Sequence, residues 1–404
     1  MAASAGGPLA GLKVIELCHV MAGPVTGLML ADMGADVIKV EKIPGGDDTR
    51  RFTPPAIGDE AAAFMMMNRN KRGIAVDLKS DDGKKILLRL IERADVLTEN
   101  YRKGALERMG LGFETLKAIN PRLIYCSISG FGRTGPYADR GGFDLIAQGM
   151  SGLMSVTGEG AGRPPVKVGA PVSDITAGIL GAMGVLAALH HRANTGEGQF
   201  VDTSLFEAGI VQTYWQSAIA LATGVAPGPM GSAHPLNAPY QAFETSDRWI
   251  TVGAANQTNW LRLVDLLGMQ RLADDPRFKS GDDRIRNYAV LAEALAPAFK
   301  TRSSAEWLAA LEKVKIPAGP VMDVTEMHRD PQTIARDMVT ETSHSKLGPV
   351  KTIGAPVKFS ASPGGVRRGA PTLGEHTREV LREHGFPDAE IDRMVQSGAV
   401  EVAD

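Results

Sequence analysis

Within its first 41 residues the chain passes from an apolar, branched run at 12–17 (LKVIEL) to a helix-type segment and then to a second run at 36–41 (DVIKVE). The helix-type segment opens at Gly23-Pro24 and closes at Gly34. Proline near a helix start and glycine just past its end are the expected punctuation. A strand–helix–strand unit this short constrains the fold strongly, because its strands must run parallel and join by a right-handed crossover. The pattern repeats: helix at 81–93, strand at 95–99 (DVLTE), short helix at 113–119, strand at 122–128 (RLIYCSI), then a glycine-rich loop at 130–142. The expectation is a doubly wound α/β domain.

Beyond it, residues 174–192 predict a long helix whose Gly178, Gly181 and Gly184 would let another element approach closely. A turn at 195–198, a strand at 199–203 and a second buried helix at 205–223 follow. A stretch rich in Pro, Gly and Ala reads as a linker. The predicted organisation is a large domain from 1–223, a linker at 224–238, a smaller α/β domain at 239–324 and a return of 325–404 to the large domain. The smaller domain carries strands at 240–243 and 249–252 and helices at 260–267, 289–299 and 305–311. The returning segment ends in helices at 375–383 and 387–396.

Composition narrows the function. The 404 residues carry 44 Lys plus Arg against 46 Asp plus Glu, a net charge of −2. That balance argues against a general nucleic-acid or membrane-surface binder. The two cysteines, Cys18 and Cys126, stand in strand-like runs and predict buried free thiols rather than a disulfide or a zinc site. Weakly charged stretches at 175–189 and 208–231 read as buried helices, not membrane spans. With no signal-type or arginine-rich N-terminus, the expected location is cytoplasmic, with the mitochondrial matrix open to a processed eukaryotic chain.

Asp174, in VGAPVSDITAG, has two readings. It suits a helix N-cap. It also suits a nucleophile, being an acid at a helix start in a largely uncharged neighbourhood. The first strand–helix turn, AGPVTG, resembles a phosphate loop but lacks G-x-G-x-x-G, so Glu41 supports an oxidoreductase poorly. No G-x-S-x-G elbow and no H-E-x-x-H motif occurs. His190 and His191 suit the C-terminal dipole of their helix, and Met65, Met66 and Met67 suit core filling. Basic residues spaced through the first hundred positions, several of them after predicted strands, fit a polyphosphate ligand.

Several motifs together carry a resemblance. AGPVTGLMLADMGADVIKVEKIPGGDDTR, NRNKRGIAVDLKSDDGK, ENYRKGALERMGLG, SISGFGRTGPYADRGGFD, GAPVSDITAG, IPAGPVMDV and LGEHTREVL occur in that order. They resemble the family III (CaiB/BaiF type) CoA-transferases over nearly the whole chain. YCSISGFG and PYQAFETSDRWITVGAANQ look most similar to the branch that includes succinyl-CoA:glutarate CoA-transferase.

The resemblance implies a Rossmann-like large domain, a smaller domain and an interlocked homodimer. It assigns the nucleophile to Asp174. It assigns CoA contacts to Met21, Ala22, Lys42, Val76 to Lys79, Asn100, Tyr101, Arg102, Arg108, Met109, and Gly141 to Asp144 including Phe143. Coenzyme A enters as a thioester substrate, with no permanently bound cofactor and no metal. The partners are an acyl-CoA, expected to be succinyl-CoA, and a small carboxylic acid, expected to be a dicarboxylate. Arg51, His234, Asn237 and Gln257 are candidates to hold that acid, and the Gly253 to Gln257 loop is a candidate oxyanion site. Oxalate fits poorly, because Met21 replaces the glutamine of the oxalate enzymes and Gly253-Ala254-Ala255-Asn256 replaces their glycine tetrad. The related α-methylacyl-CoA racemases need a base on each face of the reacting carbon. One of theirs is a histidine where this chain has Phe143. A racemase and a catalytically silent CoA-binding protein are the alternatives.

Overall fold

The computed structural model describes residues 6–403 and divides the chain into two compact units. The first comprises residues up to Ser151, Gly169–Gln212 and Asp330 onward. The second comprises Gly152–Val168 and Thr213–Arg329. The second unit is therefore larger than the predicted 239–324, because it also takes the helix Tyr214–Thr223 and an earlier excursion of the chain.

The first unit is built on a seven-stranded sheet. Its strands are β1 (Lys13–Leu17), β2 (Asp36–Glu41), β3 (Arg72–Val76), β4 (Val96–Glu99), β5 (Ile124–Ser129), β6 (Phe200–Ser204) and β7 (Val400–Glu401). Their order is β7-β3-β2-β1-β4-β5-β6, parallel throughout except for the antiparallel β7 at the edge. Successive strands run outward from β1 in one direction and then from β4 in the other. The crossover point of this doubly wound sheet is the β1/β4 crevice, where such sheets place their ligands. Strand β3 was missing from the sequence reading. Its first residue is a charge in a basic run, and that charge is satisfied only in the fold, where Arg72 pairs with Asp36, Glu379 and Glu383.

Helices cover both sheet faces. On one, α1 (Ala22–Asp32) packs against α4 (Val172–Thr195), the latter numbered after α2 (Asp81–Ile91) and α3 (Asp144–Met150). Two of the α4 glycines make this contact, while Gly184 lies against Val201 of β6. A methyl on Gly178 would stand 2.6 Å from the Ala22 carbonyl oxygen, and one on Gly181 would stand 2.7 Å from Thr26 Oγ1. Thr26 fastens the pair by donating to the Gly178 carbonyl at 2.9 Å. The opposite side of α4 is not buried in this chain. Ile175, Ile179, Met183 and Leu186 form an exposed stripe at helical spacing. By length and composition alone α4 could cross a membrane, yet its glycine face is core.

Smaller corrections follow from packing. The predicted helix at 205–223 is two helices, α5 (Leu205–Val211) and Tyr214–Thr223, and no residue of the latter is buried. Met65 and Met67 are core, whereas Met66 is exposed. His190 and His191 lie near the C-terminal end of α4. Cys18 and Cys126 are buried free thiols.

The second unit has a three-stranded antiparallel sheet, Tyr240–Glu244 and Ala318–Pro320 flanking Trp249–Gly253. Trp260, Trp307, Phe243 and Phe299 fill its core.

Candidate active site

Beyond the carboxyl ends of β1, β4 and β5 lies a cleft of about 550 Å³. Its floor is the β1–α1 loop and the first turn of α1, and three buried side chains hold them. Lys39 donates to the Cys18 carbonyl (2.7 Å), Asp47 accepts the Val20 N–H (3.1 Å), and Lys71 donates to the Pro24 carbonyl (2.9 Å). These groups balance one another's charge through Glu16, which Lys39 reaches at 3.1 Å and Lys71 at 2.8 Å, and through a 2.9 Å Lys39–Asp47 pair. Burial opposes the Lys39 charge, but Glu16 and Asp47 outweigh it and hold the ammonium above its ordinary range. Lys71, with less compensation, is pushed down by burial to about 8. The network holds Val20 at φ 66°, a costly conformation for a β-branched residue. Asn100 closes the crevice from β4, accepting the His19 N–H (3.0 Å) and donating to the His19 carbonyl (2.8 Å).

Of the residues proposed from sequence, Met21, Ala22, Asn100, Tyr101, Arg102, Arg108, Gly141, Gly142, Phe143 and Asp174 line this cleft. Arg102 and Arg108 are exposed cations at its rim, suited to phosphates. Others do not line it. Val76 is fully buried within β3, and Met109 packs on the hydrophobic core. Lys79 is exposed beyond β3, two strands from the crevice. Lys42 and Arg51 both pair with Asp48, at 2.7 and 2.5 Å, and only Asp48 lines the cleft. His19 and Arg140 line it without having been proposed, and so does Lys103, one of the spaced basic residues read as suiting a polyphosphate. The signal was their place just after strand ends and in the glycine-rich loop. That loop closes on itself where the Gly130 and Gly142 backbones touch, so close that a methyl on either would meet the other's Cα within 2.7 Å.

Asp174 is the third residue of α4, not its N-cap. The cap position is Pro171, which supplies no side-chain acceptor. The cap comes from Asp144, thirty residues earlier, at the start of α3. Its Oδ1 accepts the Ser173 N–H at 2.9 Å and the Asp174 N–H at 3.4 Å, while its Oδ2 accepts from Gln148 at 2.7 Å. Asp144, a CoA contact by the resemblance, is not among the residues that line the cleft, and both its carboxylate oxygens are engaged here. Asp174 is left with a carboxylate that no hydrogen bond or ion pair among the described residues reaches. Burial, and second the Asp144 charge, push it up to about 7. A helix N-terminus would ordinarily favour the anion. Here the terminal N–H groups are spent on another acid.

His234, Asn237 and Gln257 belong to the second unit. A cavity of about 500 Å³ there is lined by Tyr240, Gly253, Ala255, Asn256, Asn259 and Pro317, among others. His234 stacks on Tyr240 with ring centroids 5.2 Å apart, and its Nδ1 accepts the Leu236 N–H. Asn237 is exposed beside it, 3.3 Å from the same nitrogen. Gln257 Oε1 accepts from Arg284 at 2.8 Å. In the proposed oxyanion loop the Gly253 and Ala254 N–H groups already donate to the Pro317 and Pro239 carbonyls, narrowing the candidates to Ala255 through Gln257.

Known proteins share this architecture. The sequence model of CoA-transferase family III matches residues 9–377. The chain is similar to a succinate–glutarate CoA-transferase of Agrobacterium fabrum, at 40% identity over 93% of this chain and 95% of that one. It is also similar to the succinyl-CoA:glutarate CoA-transferase of Homo sapiens, at 35% identity over 98% of this chain and 90% of that one. The crystal structure of a CaiB/BaiF family protein from Brucella suis superimposes with a TM-score of 0.84 at 41% identity, covering 94% of this chain and all of that one. A doubly wound sheet with a cation-rimmed cleft at its crossover point, an unpartnered acid in that cleft and this extent of similarity lead to one conclusion: the chain belongs to CoA-transferase family III.

Proposed function

We propose that this enzyme moves coenzyme A from succinyl-CoA to a small dicarboxylic acid, with Asp174 as the nucleophile. The observation that carries the reading is the Asp174 carboxylate. It lines the cleft and, among the described residues, accepts no hydrogen bond and forms no ion pair, so its lone pairs are available. The choice of donor and acceptor rests on the relatives, whose names specify succinate and glutarate.

An Asp174 oxygen attacks the thioester carbonyl carbon. The C–S bond breaks and CoA leaves as thiolate, which gives a mixed anhydride. The thiolate then attacks the aspartyl carbonyl and frees the donor acid. The acceptor carboxylate attacks the resulting aspartyl-CoA thioester and regenerates an anhydride and thiolate. Attack of that thiolate on the acceptor carbonyl releases product and restores Asp174. One thioester replaces another, so no external energy source is consumed. Arg102 and Arg108 hold the nucleotide end, turning remote binding energy toward orientation of the thioester. The Asp174→Ala protein should bind CoA and transfer nothing. Hydroxylamine or borohydride after incubation with succinyl-CoA should mark Asp174 alone in a mass spectrum. Turnover by the variant, or a label elsewhere, would reject the nucleophile.

The exposed stripe on α4 and the exposed Tyr214, Trp215 and Leu221 fit the interlocked homodimer. Light scattering should then give twice the 42.9 kDa chain mass.

A further inference from the structure

We propose that Asp144 is a positioning residue whose charge, held against the start of α4, keeps the free Asp174 carboxylate high in energy and so drives it toward its covalent adducts. The proposal rests on Asp174 being the nucleophile.

The geometry separates two tasks that one acid would otherwise combine. An acid in the first turn of a helix is normally stabilised by the N–H groups there. Asp144 occupies the Ser173 and Asp174 N–H groups and is tied down by Gln148, so its position is set from three directions. Asp174 receives the cost of that arrangement: a like charge nearby and no donor of its own. The other elements packed here add no compensating charge. The first seven residues of α1, AGPVTGL, are uncharged, and Glu207 of α5 bonds Ser204. Arg102, Lys103, Arg108 and Arg140 line the same cleft, yet none forms an ion pair with Asp174 among the described residues, and burial first and the Asp144 charge second push its carboxyl up to about 7.

Protonation and acylation are electrostatically alike at this atom, since each converts an anion into a neutral group. When the Asp174 oxygen forms its C–O bond and the thiolate leaves, the repulsion from Asp144 disappears. Each pKa unit that Asp144 contributes therefore favours the neutral anhydride or thioester over the free carboxylate by about tenfold. This is ground-state destabilisation tied to a specific contact.

Asp144→Asn tests it, because the amide oxygen can still accept the two N–H groups while the charge is gone. Two readouts are needed: the pH midpoint of the acid limb of kcat/KM, and the fraction of Asp174 found as covalent adduct at fixed succinyl-CoA and CoA. The midpoint should fall by about one unit and the adduct fraction about tenfold, with wild-type circular dichroism and melting. Asp144→Ser, a second neutral cap, should do the same and serves if the asparagine protein folds poorly. Wild-type midpoint and adduct fraction in a folded neutral variant would overturn the proposal. Transfer by Asp174→Ala would instead overturn the nucleophile assignment beneath it.

Discussion

Replacing Asp174 by asparagine should abolish transfer and stabilise the protein at the same time. An ordinary acid in a helix's first turn contributes about 0.3–1 kcal/mol through the dipole, and its amide variant would be slightly less stable. Here the sign reverses. Burial first and the Asp144 charge second push the folded carboxyl up to about 7, from the 3.8 of a free side chain. Between these values the native state holds a proton that the unfolded chain has released. Stability therefore falls as pH rises through that window. Above it the ionised Asp174 costs the folded protein on the order of 4 kcal/mol as an upper bound. Residual solvent access reduces this, and about 1–4 kcal/mol is expected. Urea denaturation of both proteins at pH 8 and at pH 4 measures the difference. The variant should lead at pH 8, by a few degrees if melting is followed instead, and the lead should vanish at pH 4. An asparagine protein no more stable than wild type at pH 8, or one with the same lead at both pH values, would refute the argument.

Three further outcomes are expected. Arg102→Ala and Arg108→Ala should each raise KM for the acyl-CoA about tenfold with a smaller effect on kcat, and added salt should narrow the gap, as for a screened phosphate contact; steady-state kinetics at two ionic strengths checks this. Gly27→Ala would place a methyl 1.8 Å from a Glu16 carboxylate oxygen and split the Glu16–Lys71 pair. It should cost several kcal/mol, seen as a lowered melting temperature or insolubility. Met183→Glu puts a charge in the middle of the α4 stripe, so on the proposed homodimer reading the variant should fail to assemble and light scattering should return the single-chain mass.

Much of the first unit was legible because its signals are local. Strands β1, β2 and β4 are short branched runs bounded by turns, and their alternation with helices leaves few topologies open. The α4 glycines announced a close contact before any partner was known. Strand β3 was hidden because it opens on Arg72, whose neutralising acids lie partly three hundred residues away on the chain. The helix break near residue 212 and the exposed face of Tyr214–Thr223 were equally hidden. A run apolar enough for a core reads the same whether or not this chain covers it. Lys42 and Arg51 were read singly as ligand cations, and only the fold shows that both pair with Asp48.

The two acids at the site mark the boundary. Residue types and spacing alone established a doubly wound sheet, a glycine-rich helix beginning near Asp174 and a basic approach to the strand ends, since each of these is written in neighbouring residues. Which acid caps that helix and which stays free was decided by the packing of α3 against α4. Asp144 and Asp174 compete for the same N–H groups, and only their arrangement in space determines the winner.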